Sequence, residues 1–267
     1  MKLIRTAALA AFIIVPLAAQ LGSPNANGVA ISHVHINAGD FDSHQNFWTL
    51  LGGISLNDER RRMIQFPGIY ISLRKQEPKG GTVGSVLNHF GFLVKNISES
   101  LAKWKAQGIT VETGNGPERA FLVAPEGIRV EIIEDPSMPV AIVMHHVHLY
   151  VPDPLAAQAW YVKNFGAVPG KRGQLDTANI AGTEVTFTKW DQHLSGTKGR
   201  AVDHIGFEVR NLDRLVKDLE TAGVQTEAPI RVSPNNPQLK FAYIADPWGT
   251  YIELTEGLLP TTAKSAR

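Results

Sequence analysis

A twelve-residue stretch occurs twice in this chain and decides how its fold is interpreted. Residues 81–92 read GTVGSVLNHFGF, and residues 196–207 read GTKGRAVDHIGF. The two copies share Gly-Thr-x-Gly and His-x-Gly-Phe in the same register. A pattern that recurs after 115 residues indicates a duplicated structural unit that packs against its copies.

Each copy leads into the same order of secondary structure. The residues after each histidine alternate in polarity, as in a half-buried strand, and a helical pattern follows over 98–107 or 212–222. Ser98 or Asp213 is placed to cap the start of the helix, and a glycine follows each helix end. The units close on strands at 127–134 (GIRVEIIE) and 249–256 (GTYIELTE).

A second pair of units precedes these two along the chain. HVHINAGD at 33–40 matches HVHLYVPD at 146–153, and each leads into a short aromatic helix and a strand. The chain therefore contains four copies of one strand–helix–strands unit. We predict that consecutive copies pair as two domains, 28–137 and 140–257, joined at the Pro-rich EDPSMP. Residues 258–267 are expected to form a flexible tail.

Histidines open all four predicted first strands, and glutamates lie in two of the closing strands. They are His33, His89, His146 and His204, with Glu131 and Glu253. Because side chains alternate across a strand, each histidine lies on the polar face and each glutamate points away from its apolar neighbours. A charge in such a strand is costly to bury unless it is paired or bound to a metal.

Pairing consecutive units groups these residues into two candidate metal sites. The expected sets are His33, His89 and Glu131 in the first domain, and His146, His204 and Glu253 in the second. Two imidazoles and a carboxylate suit a divalent ion such as Fe, Mn, Zn or Ni, and they leave positions open for water or a chelating substrate. A single strand histidine is more often structural, but repetition in register favours a metal in at least one domain.

Composition excludes several classes of protein. The 26 Lys and Arg residues balance 25 Asp and Glu residues, which is unlike a protein that reads a nucleic-acid backbone. The chain has no cysteine, so disulfides, thiolate metal sites and a cysteine nucleophile are excluded. Hydrophobic residues make up 43% of the chain, as in a globular protein.

The first twenty residues have the pattern of a secretory signal peptide. MKLIRTAALAAFIIVPLAAQ starts with Lys2 and Arg5, continues with an apolar run from Ala7 to Ala19, and ends in small residues. The run is shorter than the ~20 residues that cross a bilayer. We expect cleavage after export to give a secreted or periplasmic protein without membrane attachment; an uncleaved anchor or a buried first helix is the alternative.

The motifs resemble those of the vicinal oxygen chelate (VOC) superfamily, which includes glyoxalase I, bleomycin-resistance proteins and extradiol dioxygenases. The motif H-x-x-hydrophobic-x-V-x-D matches at His146 and Asp153, and D-P-x-G-x-x-x-E matches at Asp246 and Glu253. The resemblance covers roughly residues 28–257. It implies an α+β fold in which four βαβββ modules pair into two glyoxalase-like domains, each a cup-shaped eight-stranded mixed sheet with flanking helices.

Departures from the family pattern bear on the expected chemistry. Glyoxalase I carries a further carboxylate ligand where this chain has Ser72 and Thr186, so the His-His-Glu set is more similar to extradiol dioxygenases or fosfomycin thiol transferases. Four modules in one chain resemble the dioxygenases more. Tyr243, ten residues before Glu253, matches an active-site tyrosine of that family, and Phe121 occupies its place in the first domain. Of the dioxygenase histidines outside the ligand set, the stretch 233–236 has none, and His193 lies near one expected position but out of register.

Two further residues are candidate acid–base groups. His148 lies two residues after His146 on the same face, and Glu208 shares a face with His204. An unperturbed histidine titrates near pH ~6.5, which suits proton transfer. A solvated position at the rim is the alternative for His148, and Glu208 could instead support a ligand.

We therefore expect a divalent-metal-dependent VOC enzyme that chelates neighbouring oxygens of a small substrate, with dioxygenase-like or glyoxalase-like chemistry. Two complete cups in one chain remove the need for dimerisation, so a monomer is expected, with no nucleic-acid partner. The alternative is a binding protein of the bleomycin-resistance type, which sequesters a small molecule without turnover. A metal-stabilised structural domain is the third possibility.

Overall fold

The computed structural model describes residues 21–56 and 62–258. The predicted signal peptide and the tail beyond Leu258 lie outside the described residues. Within these ranges, no helix is long and apolar enough to cross a membrane.

In the residues that the structure describes, four α-helices and sixteen strands form four βαβββ modules. Module 1 contains β1 (Val29–Ala38), α1 (Phe41–Leu50), β2 (Ile54–Ser55), β3 (Met63–Phe66) and β4 (Ile69–Lys75). Module 2 contains β5 (Leu87–Val94), α2 (Ile97–Ala106), β6 (Thr110–Thr113), β7 (Arg119–Ala124) and β8 (Ile128–Glu134). Module 3 contains β9 (Ile142–Val151), α3 (Pro154–Phe165), β10 (Val168–Arg172), β11 (Leu175–Ile180) and β12 (Thr183–Lys189). Module 4 contains β13 (Val202–Val209), α4 (Leu212–Thr221), β14 (Arg231–Ser233), β15 (Asn236–Ala245) and β16 (Tyr251–Glu256).

The strands form two eight-stranded mixed sheets, as expected for two glyoxalase-like domains. One sheet has the order β14-β15-β16-β13-β1-β4-β3-β2, and the other has the order β10-β11-β12-β9-β5-β8-β7-β6. In each, two opening strands meet antiparallel at the centre, β1 with β13 and β5 with β9. Each opening strand also pairs in parallel with the closing strand of its own module, which places the closing glutamates beside the histidines.

The modules do not pair in chain order, which corrects the domains expected over 28–137 and 140–257. Module 1 pairs with module 4, and module 2 pairs with module 3. The connection at 135–141, predicted to separate two domains, instead joins β8 and β9, which lie on either side of β5 in one sheet. Its two ends hydrogen-bond to the end of β5, through Asp135 N to Val94 O and Lys95 N to Ala141 O, so β9 is led back antiparallel along β5.

The glycine-rich starts of the repeats at 81–92 and 196–207 lie where the chain passes from one sheet to the other. Lys79 N donates to Gly199 O, Ala201 N donates to Gly80 O, and Ser195 N donates to Gly84 O. The two linkers thus satisfy each other's backbone groups as they cross. Gly84 and Gly199 both have positive φ, near +85°, a conformation that side chains disfavour and glycine adopts readily.

Helix starts differ slightly from the sequence prediction. The caps of α2 and α4 are Asn96 and Asn211, whose side chains accept hydrogen bonds from Glu99 N and Arg214 N. Ser98 and Asp213 therefore lie inside the helices, because asparagine two residues earlier already satisfies the free backbone N–H groups. α4 presents Leu212, Leu215, Val216 and Leu219 to the core, which covers the apolar face of its sheet.

Candidate metal centres

The structure brings the predicted ligands together in two clusters on the polar faces of the two sheets. Site I contains His33 and His35 from β1, His204 from β13 and Glu253 from β16. Site II contains His146 and His148 from β9, His89 from β5 and Glu131 from β8. All six predicted metal ligands lie in one or the other cluster.

The grouping of these ligands differs from the sequence expectation. His33 joins His204 and Glu253, whereas His146 joins His89 and Glu131. His33 and His146 therefore exchange places relative to the expected sets. The reason is the module pairing: each opening strand lies against the opening strand of the module in its own sheet, whatever the order along the chain.

Glu253 is the centre of site I. Its Oε2 lies 2.9 Å from His33 Nε2 and 3.2 Å from His204 Nε2, and its Oε1 accepts a hydrogen bond of 2.8 Å from the Tyr243 hydroxyl. Burial alone would raise the pKa of Glu253, but the hydrogen bonds and charges of His204 and His33 hold it well below its usual value. The carboxylate is therefore ionised and oriented by three neighbours.

A second carboxylate supports the ligand histidine His204. His204 Nδ1 donates to Asp203 Oδ1 at 2.6 Å, and the other Asp203 oxygen accepts from Gly199 N at 2.6 Å and from Asn37 Nδ2 at 3.2 Å. Burial alone would lower the pKa of His204, but hydrogen bonds to Asp203 and Glu253 raise it. A proton fixed on Nδ1 leaves Nε2 of His204 as the atom that faces Glu253. This is the tautomer in which Nε2 can bind a metal.

His35 completes site I, although it was not among the predicted ligands. Its ring stacks on His204 with centroids 4.4 Å apart, and its buried Nε2 has no hydrogen-bond partner. Burial and the neighbouring His204 and His33 lower the pKa of His35 well below the ordinary value, so its imidazole is neutral. The signal for it was present in the sequence, since it follows His33 by two residues on the same strand face.

Site II has the same arrangement with deeper burial. Glu131 Oε2 lies 3.0 Å from His146 Nε2 and 3.4 Å from His89 Nε2, and His148 is the fourth member of the cluster. Burial lowers the pKa of His146 to about 3 and, together with His89 and His146, that of His148 to about 2. All the imidazoles of this cluster are therefore uncharged at neutral pH.

Cations surround the carboxylate of site II. Arg119 Nη1 lies 3.7 Å from Glu131 Oε1, and Arg172 Nη1 lies 3.9 Å from Glu131 Oε2. Arg172 also reaches Glu184 at 2.8 Å and donates to Thr186 Oγ1 at 3.0 Å. In the part of the chain that the structure describes, no lysine or arginine lies within ion-pair distance of Glu253.

Glycines in the His-x-Gly repeat make room for the opposing histidine. A Cβ at Gly206 would overlap His33 Cε1, and one at Gly91 would overlap His146 Cε1. Each glycine is the cross-strand neighbour of the histidine whose ring it admits. Sequence reasoning recorded this glycine but did not recognise that it identifies the partner strand.

The donor sets fit a divalent metal. Ligands about 2.1 Å from an ion lie ~3.0 Å apart in octahedral geometry and ~3.4 Å apart in tetrahedral geometry, and the N–O distances in both sites fall between 2.9 and 3.4 Å. In site II, His89 Nε2 and His146 Nε2 are buried without an aligned hydrogen bond despite this proximity. Their lone pairs are therefore available to an ion beside Glu131.

A cavity of about 630 Å³ opens in front of site I. His33, His35, Tyr243 and Glu253 line its floor. Its walls combine apolar and polar side chains: Leu56, Met63, Tyr70, Leu73, Leu239 and Leu258 with Arg62, Ser72, Ser233, Asn235, Asn236 and Thr255. The space suits a small, partly apolar ligand that reaches the histidines and the carboxylate.

The three candidate catalytic residues have different surroundings. Tyr243 contacts Glu253 in site I, and His148 lies among the ligands of site II, where Thr188 Oγ1 is 2.8 Å from its Nε2. Glu208 accepts hydrogen bonds from Thr255 Oγ1 at 2.6 Å and Gly257 N at 2.8 Å. These bonds tie Glu208 to the end of β16, and neither described metal-type cluster includes it.

Residues 143–254 match the family model described as Glyoxalase/Bleomycin resistance protein/Dioxygenase superfamily. This stretch of the chain is similar to a domain of that superfamily. The match runs over modules 3 and 4, which this structure divides between the two sheets. A search of curated proteins finds no match.

Several solved structures share the two-sheet fold. Glyoxalase I from Zea mays aligns with a TM-score of 0.69 and 18% identity, over 86% of this chain and 92% of that chain. A mutant of the same enzyme aligns with a TM-score of 0.70. A protein from Bacillus subtilis assigned as a dioxygenase aligns with a TM-score of 0.63 and 14% identity, over 90% of this chain and 87% of that chain. At these identities the likeness concerns the fold.

Proposed function

We propose that the chain is a divalent-metal-dependent enzyme whose working centre is site I, acting on a small substrate with oxygens on adjacent carbons. The observation that carries the proposal is the triad of His33, His204 and Glu253, of which His33 and Glu253 line an open cavity. A divalent ion held by these residues would supply Lewis acidity to neighbouring substrate oxygens. Zinc, iron, manganese and nickel all suit this donor set.

Residues of site I have separate tasks in this proposal. Asp203 holds the Nδ1 proton of His204, and Tyr243 holds one oxygen of Glu253, so both ligands are oriented before an ion arrives. His35 is a neutral imidazole with a free Nε2 in the same cluster, which suits it to accept a proton from a bound substrate. The leucines of the cavity wall exclude water from the reacting atoms.

Two reaction types fit this arrangement. The lack of a carboxylate at Ser72, which faces the same cavity, favours the open three-ligand site of a dioxygenase. The fold similarity to glyoxalase I supports proton transfer next to a carbonyl as the second candidate. We place dioxygenase-type ring cleavage first, with iron as its metal.

The test starts from chelator-treated protein that is reloaded with Fe(II), Mn(II), Zn(II) or Ni(II). Each form is assayed for dioxygen uptake with catechols and for conversion of 2-oxoaldehyde–thiol adducts. We expect activity with at least one ion and its loss in Glu253→Gln, while the matched variant Glu131→Gln keeps it. A tight small ligand bound without metal or turnover would favour the sequestering alternative.

We also propose that residues 1–20 direct export and that the mature chain is a periplasmic or secreted monomer. The positively charged start and apolar run support this proposal. N-terminal sequencing of protein recovered from its native host is expected to begin near residue 20 or 21. Recovery with Met1 intact in the cytosol would contradict it, and sedimentation analysis tests the monomer.

A further inference from the structure

We propose that Glu208 is a positioning residue of site I, because it fixes the chain segment at 255–258, here called the exit turn, which forms part of the cavity wall. Through this wall, Glu208 sets the size of the apolar group that a ligand at site I can carry. The inference rests on the role proposed above for site I. It concerns a residue that belongs neither to the metal-type cluster nor to the cavity lining.

The closing strands of modules 2 and 4 end in the same way. Glu134 at the end of β8 accepts a hydrogen bond of 3.0 Å from Ile97 N at the start of α2. Glu256 at the end of β16 accepts one of 2.7 Å from Leu212 N at the start of α4. Each bond ties the end of a closing strand to the helix of its own module, so the duplicated structure is equivalent up to this point.

The two modules differ at the next residue of the chain. Asp135 N donates to Val94 O, so after β8 the backbone stays bound to β5. After β16 the next residue is Gly257, whose N donates to the Glu208 carboxylate at 2.8 Å. Gly257 has a φ of +86°, a conformation that glycine adopts readily and other residues disfavour. A side chain thus replaces the backbone acceptor where the chain leaves the sheet.

Glu208 binds the exit turn at several points. Thr255 Oγ1 donates to its carboxylate at 2.6 Å, and the backbone of Leu258 provides a further hydrogen bond beside that of Gly257. Glu208 and Thr255 are direct partners in the parallel register of β13 and β16. Hydrogen bonds to a carboxylate are among the stronger ones in proteins, so three donors from one short segment fix its direction.

The exit turn forms part of the cavity in front of site I. Thr255 and Leu258 line this cavity, together with Leu239 from β15. Gly257 packs so closely on β15 that a Cβ there would overlap Gln238 O. The turn is therefore held between Glu208 on one side and β15 on the other. In a pocket wall of this kind, one methylene changes the discrimination between ligands by roughly 10-fold or more.

The other sheet forms the same module without this carboxylate. Leu93 and Ile133 pair in the parallel register of β5 and β8, at the positions that Glu208 and Thr255 hold in β13 and β16. Module 2 has the same order of strands and helix as module 4. The carboxylate is therefore not a requirement of the module fold, and an apolar residue at position 208 is compatible with it.

The first experiment measures ligand selection with three probes: catechol, 4-methylcatechol and 4-tert-butylcatechol. It uses the full chain with Glu131→Gln, so that the bound ion belongs to site I, and Zn(II), which has no redox chemistry and does not consume the probes. Isothermal titration gives the dissociation constants. In Glu208→Leu we expect the ratio of the tert-butylcatechol constant to the catechol constant to fall by at least about tenfold, since the wall no longer restricts the larger group.

Two further variants calibrate this result. Glu208→Gln keeps the size of the side chain and one acceptor oxygen, so it should change the ratio less than Glu208→Leu. Glu220→Gln alters an exposed carboxylate of α4 and should leave the ratio unchanged. All three variants should keep the Zn(II) affinity of site I, because neither position supplies a ligand. Circular dichroism confirms that each variant is folded.

The second experiment tests the exit turn without any ligand or metal. Hydrogen–deuterium exchange at the amides of Gly257 and Leu258 should be at least about fivefold faster in Glu208→Leu, because these amides lose their acceptor. The amide of Leu212 is the internal control. It is held by Glu256 rather than by Glu208, so its exchange rate should not change.

Two results would overturn the proposal: a probe ratio that is unchanged in Glu208→Leu, or unchanged exchange at Gly257 and Leu258. Equal weakening of all three probes leaves the ratio unchanged and would reduce Glu208 to a structural role. Failure of the proposed function has a different signature, in which the chain that keeps Glu208 binds no Zn(II) at site I or no catechol. Exchange at the exit turn still reports in that case whether Glu208 holds it.

Discussion

Sites I and II have the same ligand geometry and opposite electrostatic surroundings. In each, two of the three opening-strand histidines approach the closing-strand glutamate, with N–O distances that differ by only 0.1 and 0.2 Å between corresponding pairs. Site I has Asp203 behind one ligand histidine, where site II has Asn88. Site I has a tyrosine hydroxyl on its glutamate, where site II has arginine.

A duplicated ligand set therefore does not fix what a duplicated site binds. A divalent ion is attracted by the extra carboxylate of site I and repelled by the two guanidinium groups of site II. At separations of about 5 Å and an effective dielectric constant of about 20, each unit charge changes the binding free energy of a divalent ion by roughly 7 kcal/mol before reorganisation and screening. Charges near the ligands therefore outweigh small differences in ligand distance.

The largest effect is expected from the two glutamate ligands. Glu253→Gln should weaken binding of a divalent ion by on the order of 100-fold or more, because it removes the charged ligand of the attractive site. Glu131→Gln should leave the metal content of the purified chain nearly unchanged. Elemental analysis after gel filtration measures both, and equal losses in the two variants would contradict the distinction between the sites.

The next largest effect on metal affinity is expected from Asp203 and Asn88, which hydrogen-bond to the ligand histidines. Asp203→Asn should weaken metal binding at site I by about 10- to 100-fold, and Asn88→Asp should strengthen it at site II by a similar factor. The exchange makes each position match its counterpart without altering a ligand. Isothermal titration with Zn(II), in chains that keep only one site, gives the two affinities. Changes of the same sign would show that the two positions do not act as equivalents.

Opposite pH behaviour is expected for His204 and His89 in metal-free protein. The pKa of His204 is raised above its ordinary value, despite burial, by hydrogen bonds to Asp203 and Glu253, whereas burial lowers the pKa of His89. NMR titration of the two imidazole Cε1–H signals should therefore show His204 titrating above pH ~6.5 and His89 below it. Asp203→Asn should move the His204 midpoint down.

The two shifts also have opposite effects on stability. His204 contributes stability that is present below pH ~6.5 and is lost as the pH rises through its folded pKa. His89 lowers the free energy of unfolding as the pH falls from ~6.5 through its lowered folded pKa, because the unfolded chain then binds a proton that the folded chain does not. Each effect has a limiting slope of about 1.4 kcal/mol per pH unit, which denaturant titrations of His204→Gln and His89→Gln can resolve.

The smallest effect is expected from the tyrosine. Tyr243→Phe removes the 2.8 Å hydrogen bond to Glu253 and reproduces the residue type found at Phe121 in site II. A net hydrogen-bond contribution of about 1 kcal/mol corresponds to a change of roughly fivefold in metal affinity. Tyr251→Phe is the matched control, because its hydroxyl bonds to Glu227 rather than to a ligand. A fall of the same size in both variants would remove the special role of Tyr243.

Much of the fold followed from short-range patterns. The four modules were visible because each repeats the same polar and apolar alternation and the same helix-ending glycines, and the two eight-stranded sheets confirm the expected fold class. Helix caps were misplaced by two residues because Ser98 and Asn96 are both good caps, and only the backbone geometry decides between them. The sequence contains fewer signals of long-range strand pairing. The clearest is the glycine opposite a ligand histidine, Gly206 opposite His33 and Gly91 opposite His146.

The sequence by itself determined which side chains can bind a metal, because strand alternation places each histidine and glutamate on the polar face irrespective of what packs nearby. The tertiary structure alone decided which histidine meets which glutamate. Crossing glycine linkers send module 1 to module 4, and these contacts join residues more than 150 positions apart. It also decided the charge around each site, since Arg172 reaches Glu131 from a strand of another module. Charge interactions depend on distance in space, which local sequence patterns do not record.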